Sequence, residues 1–137
     1  MKRLQKTLGQ KLRFVFRNFP LTQSHPYALI AAEAAEAAAL QGKFWEMHDL
    51  LYEQQALLEP DVIPAWAERL GLDLEKLGND ISHGVVEERI KEDRQSGIRS
   101  GVNGTPTFFI NGTRFDGLPD YGSLLAALES ELALRSV

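Results

Sequence analysis

The 137-residue sequence contains no cysteine. Thiol–disulfide exchange needs a thiolate as the attacking group, and no other side chain can form the mixed disulfide. Dithiol redox catalysis by these residues is therefore excluded, and the sequence predicts no catalytic residue and no cofactor. Cysteine usage also gives no information about the redox compartment, because there is none to count.

Long apolar runs are absent as well. None reaches the about 18 residues that a membrane span requires, and the residues after Met1 lack the apolar core of a signal peptide. We therefore expect no membrane partner and, for the chain as given, a cytoplasmic location. An excess of basic residues is also missing, and the net charge of −4 argues against nucleic acid as the main partner.

Histidine is scarce, and its three positions, His25, His48 and His83, lie far apart in the sequence. Their spacing predicts no metal site. His48 is interpreted as structural or solvated, since neighbouring helix side chains such as Asp49 point in different directions. His25, or Ser24 before it, is expected to cap a helix.

The composition, 44% hydrophobic and 25% charged, is typical of a globular protein, and the length suits a single domain. Residues Met1–Leu8 predict a helix that ends at Gly9. Alternating apolar residues over Leu12–Phe19 predict a strand, which Pro20 ends. An alanine-rich helix is expected over Tyr27–Gln41, where small side chains permit close packing.

Further helices are predicted by apolar residues at helical spacing. One runs from Phe44 to about Leu57. Asp61 and Asp73 are expected to cap the next two. A fourth is lined by Val86, Ile90, Arg94 and Gly97, and its outer face is predicted to be charged. That outer face consists of Glu87, Glu88, Lys91, Glu92 and Asp93.

The stretch from Val102 to Gly112, V-N-G-T-P-T-F-F-I-N-G, is the most informative in the chain. Asn111–Gly112 between two strand-like runs favours a type I′ turn, so Thr107–Ile110 and Thr113–Phe115 are predicted to form an antiparallel hairpin. Pro106 cannot donate to a ladder, which places it at the start of the strand, where a cis bond is one common solution. A leucine-rich amphipathic helix follows.

The chain resembles the DsbA-like thioredoxin family of bacteria through motifs that occur in the family's order. They are R-F-V-F-R-N-F-P-L, H-P-x-A, A-A-x-A-A, Q-G-K-F-W-E-M-H-D-L-L, G-L-D and G-T-P-T-F-F-I-N-G, at residues 13–21, 25–28, 31–35, 41–51, 71–73 and 104–112. The resemblance implies an α/β, thioredoxin-like fold of DsbA type over residues 1–137. An all-helical insertion, about residues 26–100, is expected between the second strand and the cis-proline hairpin.

In that family the cis-proline loop faces a Cys-x-x-Cys pair and helps to bind the substrate peptide. The resemblance therefore implies that Thr105 and Pro106 bind an unfolded or peptide substrate. Family members begin with a strand and then the Cys-x-x-Cys helix, whose second half resembles Leu4–Gly9. By resemblance the domain is N-terminally incomplete, and a periplasmic or extracytoplasmic location is expected if the true N-terminus is missing.

Three hypotheses for function remain open. The chain is a truncated form of a thiol:disulfide oxidoreductase, redox-inactive as given, or a cysteine-free module of thioredoxin fold that binds peptides or proteins. Alternatively, it resembles the glutathione-dependent isomerases and transferases of this fold. Without the strand that the family places beside Arg13–Phe19 and Thr107–Ile110, we also expect a homodimer that completes or covers the sheet.

Overall fold

The computed structural model describes residues 1–21 and 25–135. The helices and strands of these residues are α1 (Lys2–Leu8), α2 (Ala28–Ala39), α3 (Phe44–Glu53), α4 (Ile63–Arg69), α5 (Leu74–Ser82), α6 (Glu87–Arg99), β1 (Phe108–Ile110), β2 (Thr113–Phe115) and α7 (Tyr121–Arg135). The chain divides into two compact units. The terminal unit comprises residues 1–16 and 104–137, and the central unit comprises residues 17–103.

The hairpin of the terminal unit forms as the turn chemistry predicts. β1 and β2 pair antiparallel, with Phe108 opposite Phe115. Asn111 and Gly112, the two turn residues, have φ values of 50° and 85°. Both positive angles are those that a type I′ turn demands, which explains why asparagine and glycine occupy these positions.

Two helices of the terminal unit, α1 and α7, are in contact. Leu4 of α1 and Leu124 of α7 are buried, with 1% and 5% of their surface exposed. Asp120 precedes α7, and its Oδ1 accepts a hydrogen bond of 2.7 Å from the Ser123 backbone N–H. This bond satisfies one of the amide groups that a helix leaves unpaired at its first turn.

The central unit is built around α2, whose alanines let neighbouring helices approach closely. Ala34, Ala37 and Ala38 are fully buried, and α2 contacts α3, α5 and α6. The remaining core comes from the inward faces of these helices and of α4. It includes Met47, Leu50, Leu51, Ile63, Trp66, Leu77, Val86 and Ile90.

Asp73 caps α5 as predicted, since its Oδ1 accepts from the Lys76 backbone N–H at 3.1 Å. The side-chain amide of Gln41 forms two hydrogen bonds with the backbone of Asp73. It accepts from the Asp73 N–H at 2.8 Å and donates to the Asp73 carbonyl at 3.1 Å. The turn before α5 is therefore fixed against the end of α2.

The predicted strand over Leu12–Phe19 is wrong, because the structure assigns no strand to these residues. The alternation behind the prediction is real, since Phe14 and Phe16 are half-buried while Arg13 and Val15 are exposed. Alternation reports an extended backbone, whereas a strand also requires a ladder with a neighbour. Among the described residues, the sheet consists of β1 and β2 alone.

Some helix boundaries also differ from the predictions. α2 begins after Tyr27 without a side-chain cap, so the predicted cap by His25 is wrong, and Ser24 lies outside the described residues. Asp61 does not cap α4 either, because a 3₁₀ turn over Pro60–Val62 precedes that helix. α3 ends at Glu53, before a second 3₁₀ turn. The spacing of apolar residues located these helices better than it located their ends.

The fold is thus a set of helices with a small two-stranded sheet. Residues 26–100 contain five α-helices and no strand, although their assignment as an insertion between two strands stays a prediction. The single domain over residues 1–137 also stays a prediction. No helix of the described residues is long and apolar enough to cross a membrane.

Candidate functional site

The loop before β1 brings Thr105 and Pro106 to the surface of the terminal unit. The peptide bond between them is cis, the isomer expected from the sequence, and both residues are exposed. The Thr107 hydroxyl donates to the Gly104 carbonyl at 2.6 Å, a half-buried bond that spans the two exposed residues. The side chain of Thr107 therefore helps to hold the loop in place.

The backbone next to this loop has hydrogen-bonding capacity to spare. Pro106 has no N–H, and Thr105 forms no backbone hydrogen bond with any described residue. Among the same residues, β1 pairs with β2 on one side and with no strand on the other. An extended segment could therefore add beside β1 and continue along Thr105, which is the geometry of strand addition.

A cavity of about 380 Å³ lies in the same unit, between α1, β1 and the start of α7. Its lining consists of Met1, Lys2, Arg3, Leu4, Phe108, Pro119, Tyr121 and Leu124. The Arg3 guanidinium carbon lies 3.8 Å from the centre of the Tyr121 ring. The hydroxyl of Tyr121 forms a 2.9 Å hydrogen bond with the Thr7 hydroxyl, so α1 contacts both the face of the ring and its hydroxyl group.

Two side chains that often act in covalent catalysis do not occur in the terminal unit. Residues 1–16 and 104–137 contain neither histidine nor cysteine, so the usual general base and the usual thiol nucleophile are both missing there. Of its carboxylates, Asp120 has a pKa held below its usual value by the backbone and side-chain hydrogen bonds of Ser123. A carboxylate that caps a helix in this way is a structural group.

The most strongly held polar cluster lies in the central unit, where Asp93 is 3% exposed. One oxygen, Oδ2, accepts from the Asn18 backbone N–H at 3.0 Å and from Asn18 Nδ2 at 2.9 Å. The same amide nitrogen donates to Glu36 at 2.8 Å. Arg17 and Arg89 approach the other oxygen at 3.5 and 3.8 Å.

This cluster corrects the prediction that Asp93 belongs to the charged outer face of α6. Ile90, Asp93 and Gly97 follow at intervals of three and four residues, so all three share one face of the helix. Position 97 on this face also requires glycine, because a Cβ there would lie 2.8 Å from Cδ1 of Phe19. This spacing could have indicated that Asp93 shares the inward face of α6. The charged residues beside Asp93 led instead to its assignment to the outer face.

The histidines do not form a site. His48 Nδ1 lies 3.2 Å from Asp49 Oδ1, so the expectation that these two side chains diverge is wrong. The His48 ring also contacts Phe44, Trp45 and Tyr52, with centroids 4.6 to 5.8 Å away. Within residues 1–21 and 25–135, no group of three or more histidine or acidic side chains could hold a metal ion.

Comparison with known proteins identifies the family. A model of the DSBA-like thioredoxin domain matches residues 1–129. The chain is 48% identical over 122 residues to the Na(+)/H(+) antiporter NhaA 1 of Salinispora arenicola and to NhaA 3 of Salinispora tropica, which covers 89% of this chain and 19% of each relative. It is 40% identical over 127 residues to NhaA of Herminiimonas arsenicoxydans, covering 93% of this chain and 20% of that protein.

The chain therefore spans about a fifth of the length of these relatives. No solved structure matches it.

Proposed function

Because the chain belongs to the DSBA-like thioredoxin domain family, we propose that it is a module that binds an extended polypeptide segment beside Thr105 and β1. The observation that carries the proposal is the exposed loop backbone, which continues into a strand with one neighbour among the described residues. Main-chain hydrogen bonds would supply the affinity, and alternate side chains the specificity. The function does not require a thiol.

The Thr107 hydroxyl supports this role, because it fixes the loop before a ligand arrives. A segment that docks on an ordered edge loses only its own conformational freedom, whereas docking on a mobile loop orders both partners. A hairpin of two strands is also marginal by itself, and a third strand would stabilise it. Ligand and hairpin would therefore stabilise each other.

Chemical-shift mapping tests the proposal with an unfolded client peptide of alternating apolar and polar residues. We expect perturbed amides at Thr105 and along β1, with little change in α4 or α5. Shifts confined to the central unit would contradict the proposal. Light scattering on the free chain serves as the control, because a homodimer that pairs its own β1 edges would compete with the peptide and give a doubled mass.

The relatives suggest where such a module works. They are named Na(+)/H(+) antiporters, and this chain matches about a fifth of their length. We propose that the module binds to an antiporter of this kind. The test compares the intact Salinispora arenicola relative with a version that lacks its matched 122 residues. We expect the purified chain to bind the shortened protein and not the intact one, and equal binding to both would argue against this setting.

A second candidate is a thiol:disulfide oxidoreductase whose cysteine pair lies outside these 137 residues. The match over residues 1–129 to the DSBA-like domain favours it. Reading the codons in frame before Met1 tests it directly. A strand followed by Cys-x-x-Cys would support the oxidoreductase, whereas an unrelated sequence would leave the binding module as the function.

A further inference from the structure

The central unit carries a row of aromatic side chains on α3 that the proposed function does not use. The row consists of Trp45, His48 and Tyr52, and two carboxylates, Asp49 and Glu53, lie beside it on the same helix. We propose that this aromatic row binds an arginine-bearing segment of a partner polypeptide. The row belongs to the central unit and the β1 edge to the terminal unit, so the inference goes beyond strand docking and does not depend on it.

Helical spacing places the three rings on one face of α3. Trp45, His48 and Tyr52 follow at intervals of three and four residues. The centroid of the His48 ring lies 5.2 Å from that of Trp45 and 4.6 Å from that of Tyr52. Only 18% of the His48 side chain is exposed, whereas Trp45 and Tyr52 are 38% and 62% exposed. The histidine therefore supports two rings that remain accessible to a partner.

The core does not require this row, because α3 buries another face. The residues that it buries are Met47, Leu50 and Leu51. Tryptophan and tyrosine are enriched where proteins contact one another, since a large rigid ring gains much from the loss of water. Two such rings side by side on a helix surface are thus suited to a contact with another polypeptide.

The charges beside the row favour a cation. Between Lys43 and Val62 the only basic residue is Lys43, which lies 3.6 Å from Glu46. Asp49 and Glu53 follow Trp45 at intervals of four residues, so their carboxylates run along the rings. Glu53 is exposed, and 32% of the Asp49 side chain is exposed. An acidic segment would be repelled from this face, and a basic one attracted.

Arginine matches the rings and the carboxylates together. Its planar guanidinium stacks on an aromatic face and keeps its in-plane N–H groups for a carboxylate, whereas lysine is a compact and strongly hydrated point charge. Trp45 and Tyr52 lie seven residues apart, which is about 10 Å along a helix axis. One side chain cannot cover that distance, so a segment with several arginines fits better than a single small cation.

Three labelled peptides of twelve residues test the inference by fluorescence anisotropy. Every third residue is arginine, lysine or glutamine, in a background of glycine and serine. We expect the arginine peptide to bind most tightly and the lysine peptide to bind about twofold to fivefold more weakly. The glutamine peptide should bind weakest, and high salt should weaken binding of both basic peptides.

Matched variants separate the aromatic contribution from the charge. Tyr52→Leu should remove most of the preference for arginine over lysine, and Tyr27→Leu, at an exposed tyrosine of the same unit, should leave it intact. Glu53→Gln should weaken both basic peptides by about twofold. Glu75→Gln, at an exposed glutamate of α5, should weaken neither.

Nuclear magnetic resonance locates the contact. The arginine peptide should shift the indole N–H signal of Trp45 and leave that of Trp66, which is 7% exposed, unchanged. Equal binding of the arginine and lysine peptides, or equal effects of Tyr52→Leu and Tyr27→Leu, would reduce the result to general attraction by an acidic chain and overturn the inference. Shifts at β1 with none in α3 would also overturn it and leave strand docking intact. Strand docking is tested separately by a peptide without basic residues, so the two failures are distinguishable.

Discussion

Replacing Asp93 by alanine is the perturbation that the structure constrains most closely. The carboxylate is buried and joins α6 to a segment 75 residues earlier in the chain, where Asn18 donates two hydrogen bonds to it. Alanine removes the one oxygen, Oδ2, that accepts both bonds. The Asn18 side-chain amide keeps its bond to Glu36, but the backbone N–H of Asn18, which is 3% exposed, loses its partner.

The expected loss follows from these bonds. A buried donor left unpaired costs about 1–3 kcal/mol, and a hydrogen bond to a charged group contributes about 1.5–3 kcal/mol. The arginines contribute little, because Arg17 and Arg89 are mostly exposed and lie 3.5 and 3.8 Å from the carboxylate. We expect Asp93→Ala to lower the free energy of unfolding by about 2–4 kcal/mol. Asp93→Asn should lose less, since its amide oxygen still accepts.

Urea unfolding followed by tryptophan fluorescence measures this loss. Both tryptophans, Trp45 and Trp66, belong to the central unit that Asp93 stabilises. The control is Glu92→Ala, an exposed neighbour on the same helix, which should change the free energy of unfolding by less than about 0.5 kcal/mol. If Asp93→Ala matched this control, the bonds to Asn18 would not stabilise the fold, and the reasoning would be refuted.

Three further predictions use other measurements. Gly97→Ala should lower the free energy of unfolding by about 1–3 kcal/mol, because its Cβ would press on the Phe19 ring, and Phe19→Leu should restore part of the loss in the double variant. Asp120→Ala should destabilise most at neutral pH. The pKa of Asp120 is lowered, so its carboxylate stabilises the fold at pH values above the usual pKa of aspartate. The difference from wild type should vanish as the pH falls through the lowered pKa. In an insulin reduction assay the chain should show no turnover above buffer, since it has no cysteine.

The hairpin was predictable from sequence because its causes are local. Asn111–Gly112 fixes the turn, and the turn fixes the register of Phe108 against Phe115. The state of Leu12–Phe19 was not predictable in the same way. Its alternation is local, but a strand also requires a neighbour, and no pattern within those eight residues reveals whether a neighbour exists.

The Asp93 cluster shows the same limit for side chains. A run of charged residues over 87–93 is typical of a solvated helix face. Four of the five residues predicted for that face are exposed, namely Glu87, Glu88, Lys91 and Glu92. Asp93 differs because Asn18 and Phe19 pack on its face of α6. That contact depends on residues far away in sequence, so helical periodicity could suggest it but could not establish it. For the candidate site, the cis bond between Thr105 and Pro106 was predicted, their role in binding stays a prediction, and the cavity was not predicted.

Docking and chemistry are separable in this fold, and the distinction bears on which function the chain serves. An oxidoreductase must release its product, so tight binding of the peptide in its ground state does not accelerate the reaction. A module that only binds is under no such constraint, and every main-chain bond at Thr105 and β1 can contribute to affinity.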